Sequence, residues 1–394
     1  MTRVHSVPLG EVISLNPAND TGSISHDDEL DFFPMSVVEA GNSVASTAET
    51  RPYSEVQKGY TCFADGDVLL AKITPCFENG KIAEARVRSE FAFGSTEFHV
   101  LRPQPQKLDA RYLVNFLRRE KVLIEGERKM TGSAGQRRVP KHFLESLQIP
   151  LPDLAEQRRI AAILDKANAL RAKRQLALTH FEILANSIFM EMFGDPSTNL
   201  RKHQVVQLDE LCVRITDGTH QSPKWEEEGI PFLFISNIVD GIIRYETDKY
   251  ISKATYQELT RRCPIEVGDV LYTTVGSYGN TAVVTHDREF CFQRHIAHIK
   301  PDRRKLDSIF CAYMLRSSGV RRQVDRAARG VAQKTVNLHD LKTLRVFEPS
   351  LQSQLMFSDR IKTVARLKEM QVRALVAADG FFTSLQHRAF TGNL

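Results

Sequence analysis

The stretch LPDLAEQRRIAAILDK, residues 151–166, decides how this chain is organised. Asp153 followed three residues later by Glu156 is a capping-box pattern, which marks the amino terminus of a helix. Ile160 and Leu164 follow at helical spacing, so an apolar stripe starts directly after the cap. The stretch therefore predicts a helix in the middle of a chain whose preceding part alternates short apolar runs with turn residues.

The same pattern occurs a second time, about 200 residues later. EPSLQSQLMFSDRIKT, residues 348–363, has a proline, a capping serine, a leucine and a glutamine at matching positions. Upstream, FADGDVLLAKI (63–73) matches IEVGDVLYTTV (265–275), and TGSAGQRRVPKHFLESLQIPLP (131–152) matches RGVAQKTVNLHDLKTLRVFEP (329–349). We therefore predict a tandem duplication, in which each copy is a mixed unit of about 150 residues followed by one long helix.

The two long helices are expected over residues 154–191 and 351–388, each about 57 Å long. Their narrow apolar stripes are typical of a coiled-coil seam and falter at 171–174 and 368–371. The seam predicts that the helices pair as an antiparallel coiled coil, with the mixed units at its two ends and a pseudo-twofold axis between the copies. Packing of each helix on its own unit alone is the alternative. The predicted pairing residues are Ile160, Leu164, Ala167, Phe181 and Ile188 in the first helix, and Phe357, Ile361, Val364, Phe382 and Leu385 in the second.

The mixed units have the pattern of an α+β fold. Short alternating or β-branched runs bounded by turn residues predict strands at 67–73, 97–101, 231–235 and 269–275, with short helices at 110–117 and 307–315. The predicted domain division is 1–150 for the first mixed unit, 151–196 for the first long helix, 197–348 for the second unit and 349–394 for the second helix.

Composition places few restrictions on function. The chain has 394 residues, 42% hydrophobic, and a formal net charge of +5, which is compatible with an anionic partner without requiring one. Its six cysteines form no CxxC pair, so neither a zinc site nor a disulfide framework is indicated. No secretory leader and no long apolar run is found, which favours the cytoplasm.

The motifs of common catalytic centres are missing from the sequence. There is no GxGxxG or GxxxxGK[ST] loop, no HExxH and no GxSxG. The string NPAN at 16–19 lacks the second proline and the aromatic residue of the adenine methyltransferase signature, and it is interpreted as a turn. The sequence therefore predicts no catalytic residue and no metal site.

Polar and basic residues recur in the loops of both copies. Side chains of this kind donate hydrogen bonds to phosphates and to base edges, although a solvated surface would also carry them. The loop DGTHQSPK, residues 217–224, has no obvious counterpart in the first copy. The candidate DNA-binding residues are Lys72, Asn79, Lys81, Arg86, Arg88, Ser133, Gln136, Arg137 and Arg138 in the first copy, and Thr219, His220, Lys224, Arg294, Gln333, Lys334 and Thr335 in the second.

With these features together, the chain resembles the specificity (S) subunit of type I restriction-modification systems. The resemblance rests on IPLPDLAEQRRIAAILDK (149–166), MFGDP (192–196), DGTHQSP (217–223), IPFLFISNI (230–238), the two GDVL motifs and LQHRAFTGNL (385–394). It spans nearly the whole sequence, and the LPDLAEQ opening of the helix is its most specific element.

The resemblance implies a non-catalytic subunit that reads double-stranded DNA. Each mixed unit would be a target-recognition domain for one half of an asymmetric bipartite site, and the long helices would set the distance between the halves. The chain would dock two methyltransferase subunits and two nuclease/translocase (restriction) subunits, which would bind S-adenosylmethionine, ATP and magnesium. A repeat scaffold for protein partners without DNA specificity, and a stand-alone DNA-modifying enzyme, are the alternatives.

Overall fold

The computed structural model describes residues 5–133, 135–330 and 334–394. The chain divides into two compact units. Unit 1 comprises Met1–Ala177 together with Gln371–Leu394, and unit 2 comprises Leu178–Met370. Each unit thus contains one mixed domain and one part of each long helix.

Unit 1 consists of eleven short strands, four short helices and parts of the two long helices. The strands are β1 (Ser6–Pro8), β2 (Ile13–Leu15), β3 (Glu29–Phe33), β4 (Val44–Ala45), β5 (Thr50–Pro52), β6 (Thr61–Ala64), β7 (Val68–Ala71), β8 (Ile82–Ala85), β9 (Phe91–Gly94), β10 (Phe98–Pro103) and β11 (Gln148–Pro150). The helices are α1 (Tyr53–Val56), α2 (Ala110–Leu117), α3 (Glu120–Lys129), α4 (Lys141–Ser146) and α5 (Leu154–Phe193), which continues into unit 2.

Unit 2 has a similar order of elements. Its strands are β12 (Gln204–Gln207), β13 (Cys212–Asp217), β14 (Ile230–Leu233), β15 (Ile238–Val239), β16 (Ile242–Ile243), β17 (Tyr250–Ile251), β18 (Val270–Thr273), β19 (Thr281–Val283), β20 (Cys291–Phe292), β21 (Ile296–Pro301) and β22 (Arg345–Glu348). Its helices are α6 (Lys253–Thr260), α7 (Ser308–Arg316), α8 (Ser318–Ala327), α9 (Leu338–Lys342) and α10 (Leu351–Ala389), which continues into unit 1.

The sheets of the two units correspond in strand order, although the larger and the smaller sheet each have one strand fewer in unit 2. The larger sheet has the order β2-β10-β7-β8-β4 in unit 1 and β13-β21-β18-β19 in unit 2. The smaller sheet has the order β5-β3-β9-β6 in unit 1 and β17-β14-β20 in unit 2, and it contains one parallel pair in each, β3 with β9 and β14 with β20. Strand β1 pairs with β11, as β12 pairs with β22. The predicted α+β class and internal repeat are confirmed.

The GDVL motif of each copy leads into a strand inside the larger sheet and supplies a buried carboxylate. Asp67 accepts two hydrogen bonds of 2.7 Å from Arg102. Asp269 accepts one of 2.9 Å from Lys300. Arg102 follows Leu101, which pairs with Val68, and Lys300 follows Ile299, which pairs with Val270, so the two cations occupy equivalent positions. A buried carboxylate requires such a partner, which explains why both copies have a cation there.

The long helices pair in antiparallel fashion within each unit. In unit 1, Arg171 donates to Asp379 at 2.6 Å and Arg174 donates to Gln371 at 3.1 Å. The residue numbers of the contacting pairs rise along α5 and fall along α10, so the helices run in opposite directions. In unit 2, the rings of Phe189 in α5 and Phe357 in α10 lie 5.6 Å apart.

The positions at which the apolar stripes falter carry polar contacts between the helices. Arg171 and Arg174 make the two hydrogen bonds given above, and in unit 2 Lys368 donates to Glu182 at 3.1 Å. The guanidinium of Arg171 also lies 4.5 Å from the ring centre of Phe382. Polar contacts of this kind specify the register of a coiled coil, as buried polar residues at seam positions do elsewhere.

A buried glutamine joins each long helix to its mixed domain. Gln157 accepts a hydrogen bond from the backbone N–H of Asp109 at 2.9 Å and donates to the carbonyls of Lys107 and Pro152 at 2.8 Å. Gln354 makes the same three bonds with Asp307, Lys305 and Pro349. Asp109 and Asp307 are themselves the amino-terminal caps of α2 and α7. The repeated glutamine of the sequence is therefore the polar joint between each helix and its domain.

The predicted element boundaries agree closely with the structure. The helices expected at 154–191 and 351–388 are α5 and α10, and the amide of Glu156 donates to the Asp153 carboxylate at 2.8 Å as a cap requires. The carboxylate of Glu156 binds Arg159, so the second bond of the predicted capping box is replaced by an ion pair. The domain limits at 150, 196 and 348 stay a prediction, because the compact units cut through both helices instead.

Candidate nucleic-acid interface

In each unit, the polar loops lie together along one side of the larger sheet, where the ends of several of its strands meet. In unit 2 this edge is formed by the carboxyl ends of β13 and β18 and by the amino ends of β19 and β21. In unit 1 the equivalent edge is formed by the corresponding ends of β2, β7, β8 and β10. We call each of these the loop edge of its unit.

Backbone hydrogen bonds hold the loop edge of unit 2 together. The amide of Arg294 donates to the carbonyl of Thr219 at 3.0 Å, and the amide of Thr274 donates to His295 at 2.9 Å. The amide of Gly276 donates to Lys334 at 3.0 Å. Four segments that are far apart in sequence are thereby joined in space. The predicted residues Thr219, His220, Arg294, Lys334 and Thr335 lie at this edge, and Lys224 lies in the loop that begins at it.

Among the predicted residues of this edge, Lys224, Arg294 and Lys334 are exposed and have no acidic partner within the part of the chain that the structure describes. By contrast, the imidazole of His220 lies 2.9 Å from the Asp217 carboxylate. Uncompensated cations on one edge are suited to contact with phosphates, which supply much of the affinity of proteins for DNA.

His295 adds an acceptor to this edge. Burial lowers the pKa of its imidazole, and the nearby Arg294 and His220 lower that pKa further. The neutral ring accepts a hydrogen bond of 3.2 Å from Nε of Arg294 at its own Nε2. This contact orients the Arg294 guanidinium, whose remaining N–H groups are the kind that bind guanine edges or phosphates.

The loop edge of unit 1 has the same backbone connections but different side chains. The amide of Thr74 donates to the Arg137 carbonyl at 3.0 Å, and the amide of Val139 donates to the Lys72 carbonyl at 2.9 Å. Lys72, Asn79, Lys81, Ser133, Gln136, Arg137 and Arg138 all lie in these loops.

Most cations of the unit 1 edge already have partners. Arg138 makes a two-point ion pair with Glu97, at 2.7 and 2.9 Å, and Arg137 lies 3.4 Å from Glu127. The ammonium groups of Lys72 and Lys81 donate to backbone carbonyls at 2.6 and 3.3 Å. The exposed, neutral Ser133, Gln136 and Asn79 remain as donors, so the two edges offer different chemistry.

Arg86 and Arg88 lie away from the loop edge, contrary to the grouping that their sequence proximity suggested. They follow the carboxyl end of β8, whereas Lys81 precedes its amino end. Arg86 pairs with Glu84 at 2.9 Å, and Arg88 forms an ion pair with the buried Asp31. These two arginines therefore stabilise the opposite side of the sheet.

The first copy also has a counterpart of the loop at 217–224. This loop follows β13, and the segment that starts at Asn16 follows the equivalent strand β2. Asn16 donates from Nδ2 to Nδ1 of His99 at 3.1 Å and accepts from the amide of Val100 at 2.9 Å. The two loops share a place in the topology but no sequence, which is why the sequence shows no obvious counterpart.

The sequence matches a family model twice, over residues 5–180 and 201–375. The model describes the type I restriction modification DNA specificity domain. The chain belongs to this family. Each matched segment contains one mixed domain with its loop edge, so the predicted duplication consists of two DNA specificity domains.

Individual relatives agree with this assignment. Over 161 residues the chain is 40% identical to the specificity subunit of the type I restriction enzyme EcoEI of Escherichia coli, covering 41% of this chain and 27% of that protein. Over 154 residues it is 41% identical to the EcoAI specificity subunit of the same organism, covering 39% and 26%. The chain thus matches only about a quarter of the length of these two relatives.

Solved structures show the same fold at low sequence identity. One chain, from a structure described as "Structural basis underlying complex assembly and conformational transition of the type I R-M system", has a TM-score of 0.63 at 20% identity and covers 100% of this chain and 99% of its own. The S subunit of a type I restriction-modification system from M. genitalium has a TM-score of 0.57 at 14% identity, with 98% and 96% covered.

The predicted pairing residues lie in the cores of the specificity domains. Ile160, Leu164, Ala167, Phe382 and Leu385 belong to the apolar core of unit 1, and Phe181, Ile188, Phe357, Ile361 and Val364 belong to that of unit 2. These cores also include residues of the mixed domains, such as Phe116 and Phe310. Each helix part therefore packs on its partner helix and on a domain at the same time, which combines the two arrangements that the sequence left open.

Several residues at the loop edges were missed by sequence reasoning. Arg329 is exposed and bridges to Thr335 as Thr131 bridges to Arg138, and only the alignment of the two copies could have identified it. His295 and Asn16 take part through contacts that the sequence does not reveal. Gln333, also a candidate, lies outside the residues that the structure describes.

The described residues contain neither a cluster of metal ligands nor a membrane-spanning helix. No three histidine, cysteine, aspartate or glutamate side chains there are placed to hold a metal ion. None of the helices in residues 5–133, 135–330 and 334–394 combines the length and the apolar character that crossing a bilayer requires.

Proposed function

We propose that this chain is the DNA-recognition subunit of a type I restriction-modification complex. Each specificity domain would read one half of a bipartite target in double-stranded DNA with its loop edge. The observation that supports this most is that the two loop edges have corresponding backbone hydrogen bonds but carry different side chains. Since the two edges differ, the two half-sites would differ as well, and the target would be asymmetric.

The physical mechanism divides into positioning and reading. Exposed cations such as Arg294 and Lys334 would bind phosphates and contribute the salt-dependent part of the affinity. Neutral donors such as Gln136 and Ser133 would contact base edges, where a good bidentate contact contributes about 1–3 kcal/mol of discrimination. The chain itself would catalyse no reaction.

The long helices would serve as the spacer between the two recognition domains and as the platform for partner subunits. Both carry large apolar side chains that are exposed in the isolated chain, among them Leu170, Ile183, Val376 and Phe381. Surfaces of this kind commonly mark protein interfaces. We propose that two methyltransferase subunits, and in the full enzyme two nuclease/translocase subunits, bind this chain and hold S-adenosylmethionine, ATP and magnesium.

Removal of two free cations from the loop edge of unit 2 tests the DNA interface. In the double variant Arg294→Ala with Lys334→Ala, the affinity of the assembled methyltransferase complex for its DNA should fall about 10- to 100-fold. The slope of log affinity against log salt should decrease by about 2, since about one counterion is released per phosphate contact. Fluorescence anisotropy with labelled duplex over a salt series measures both quantities.

A charge-matched control distinguishes this contact from a general loss of positive charge. Arg304, whose side chain is 88% exposed, and Lys342 lie away from the loop edge, after β21 and in α9. The double variant Arg304→Ala with Lys342→Ala should bind DNA nearly as the wild type does. Equal losses in both double variants would contradict the proposed interface, and an absence of DNA affinity in every variant would favour a scaffold for proteins alone.

A further inference from the structure

Unit 2 contains a cysteine, a histidine and an aspartate in a hydrogen-bonded row, away from its loop edge. Nδ1 of His298 lies 3.4 Å from Sγ of Cys263, and Nε2 of His298 lies 2.6 Å from Oδ2 of Asp269. His298 and Asp269 are both buried, whereas Cys263 is half-buried and therefore partly accessible. Thiol nucleophiles are activated by this order of groups, in which an acid orients a base that contacts the sulfur.

The charges around the thiol favour its ionised form. Burial opposes ionisation, but the hydrogen bond and charge of His298, with Lys300 and Arg214 nearby, outweigh it and lower the pKa of Cys263. Burial likewise opposes the charge of His298, yet its hydrogen bonds with Asp269 and Cys263 raise the pKa of the imidazole. Glu266, the remaining charged group of the cluster, is paired with Lys300 at 3.2 Å.

Unit 1 lacks this arrangement and offers an internal comparison. Its buried Asp67 is paired with Arg102, but the position equivalent to His298 is occupied by Val100, and the position equivalent to Cys263 by Thr61. The neighbouring Cys62 is half-buried like Cys263, and burial raises the pKa of its thiol to about 11. Each domain thus has a buried aspartate at this position, whereas the histidine and the thiol in contact with it are found in unit 2.

We propose that Cys263 is a nucleophilic thiolate that forms a mixed disulfide with small anionic disulfides. The Cys263 sulfur attacks one sulfur of the disulfide, a new S–S bond forms, and the old S–S bond breaks. The released half leaves as a thiolate and takes a proton from water, so no further oxidant is needed. Arg214, which donates to the carbonyl of Arg262 at 2.8 Å, lies beside the thiol and provides positive charge for the carboxylates of such a molecule.

The test uses the native full chain and glutathione disulfide at pH 7, with the modified cysteines identified by peptide mass spectrometry over time. Cys263 should acquire glutathione at least about tenfold faster than Cys62, because the thiolate is the reacting species. The variant His298→Gln should slow the reaction of Cys263 about tenfold and leave that of Cys62 unchanged. A Cys62→Ser variant should leave the rate at Cys263 unaltered.

Two results would overturn the proposal. One is a Cys62 rate equal to or above that of Cys263 in the wild-type chain, and this comparison holds even if the His298→Gln variant does not fold. The other is a folded His298→Gln variant in which Cys263 reacts as fast as in the wild type. Neither result bears on DNA recognition, since the row of residues lies away from the loop edge.

Discussion

Replacement of Gln157 by leucine should lower the free energy of unfolding of unit 1 by about 3 kcal/mol or more. The substitution removes the three hydrogen bonds that the buried Gln157 side chain makes with the amide of Asp109 and the carbonyls of Lys107 and Pro152. Each unsatisfied buried group costs about 1–3 kcal/mol, and relaxation around the leucine offsets part of the total. Hydrogen exchange followed by mass spectrometry measures the effect separately in each unit.

The duplicated sequence provides matched controls for this experiment. Gln354→Leu should destabilise unit 2 by a similar amount, because Gln354 makes the equivalent three bonds. Gln175→Leu alters an exposed glutamine on the same helix as Gln157 and should change stability by less than about 0.5 kcal/mol. If the amides of unit 1 are protected from hydrogen exchange as strongly in the Gln157→Leu variant as in the wild type, the glutamine is not the joint between helix and domain.

Lengthening both long helices should change which DNA targets the complex recognises. Insertion of four alanines after Ala177 in α5 and four more after Met370 in α10 adds about 6 Å to each helix. B-DNA rises about 3.4 Å per base pair, so the preferred gap between the half-sites should increase by about two base pairs. Both insertions are needed, since each unit then keeps its own paired helix segments in register.

Binding to a panel of duplexes with the same half-sites and different gaps measures this change. The control insertion, four alanines between His286 and Asp287, lies in an exposed loop after β19, away from the loop edge. It should leave the preferred gap as it is in the wild type. A lengthened-helix variant that folds and still prefers the wild-type gap would contradict the role of the helices as spacer.

The features that sequence predicted well were those with local signals or internal repetition. The cap at Asp153, the GDVL strands and the helices α5 and α10 follow from short-range patterns. The second copy of the sequence supported the prediction of the GDVL strands and the long helices, because it repeats these patterns at matching positions. The polar positions at Arg171 and Lys368 were visible as breaks in the stripes, although their partners Asp379 and Glu182 were not.

The composition of the loop edges was less predictable, because it depends on strand direction and on distant contacts. Arg86 and Arg88 follow Lys81 closely in sequence, yet the strand between them carries them to the other side of the sheet. Asn16 belongs with the loop at 217–224 only through its place after β2. The function of Gln157 depends on Asp109, which lies 48 residues earlier in the chain.

The most direct test of the account is the genome-wide mapping of methylated adenines in cells with and without this gene, with the cognate methyltransferase expressed in both. We predict that deletion removes one asymmetric bipartite motif, and that returning the gene restores the same motif. A set of methylation motifs that stays the same with and without the gene would contradict the assignment of DNA recognition to this chain.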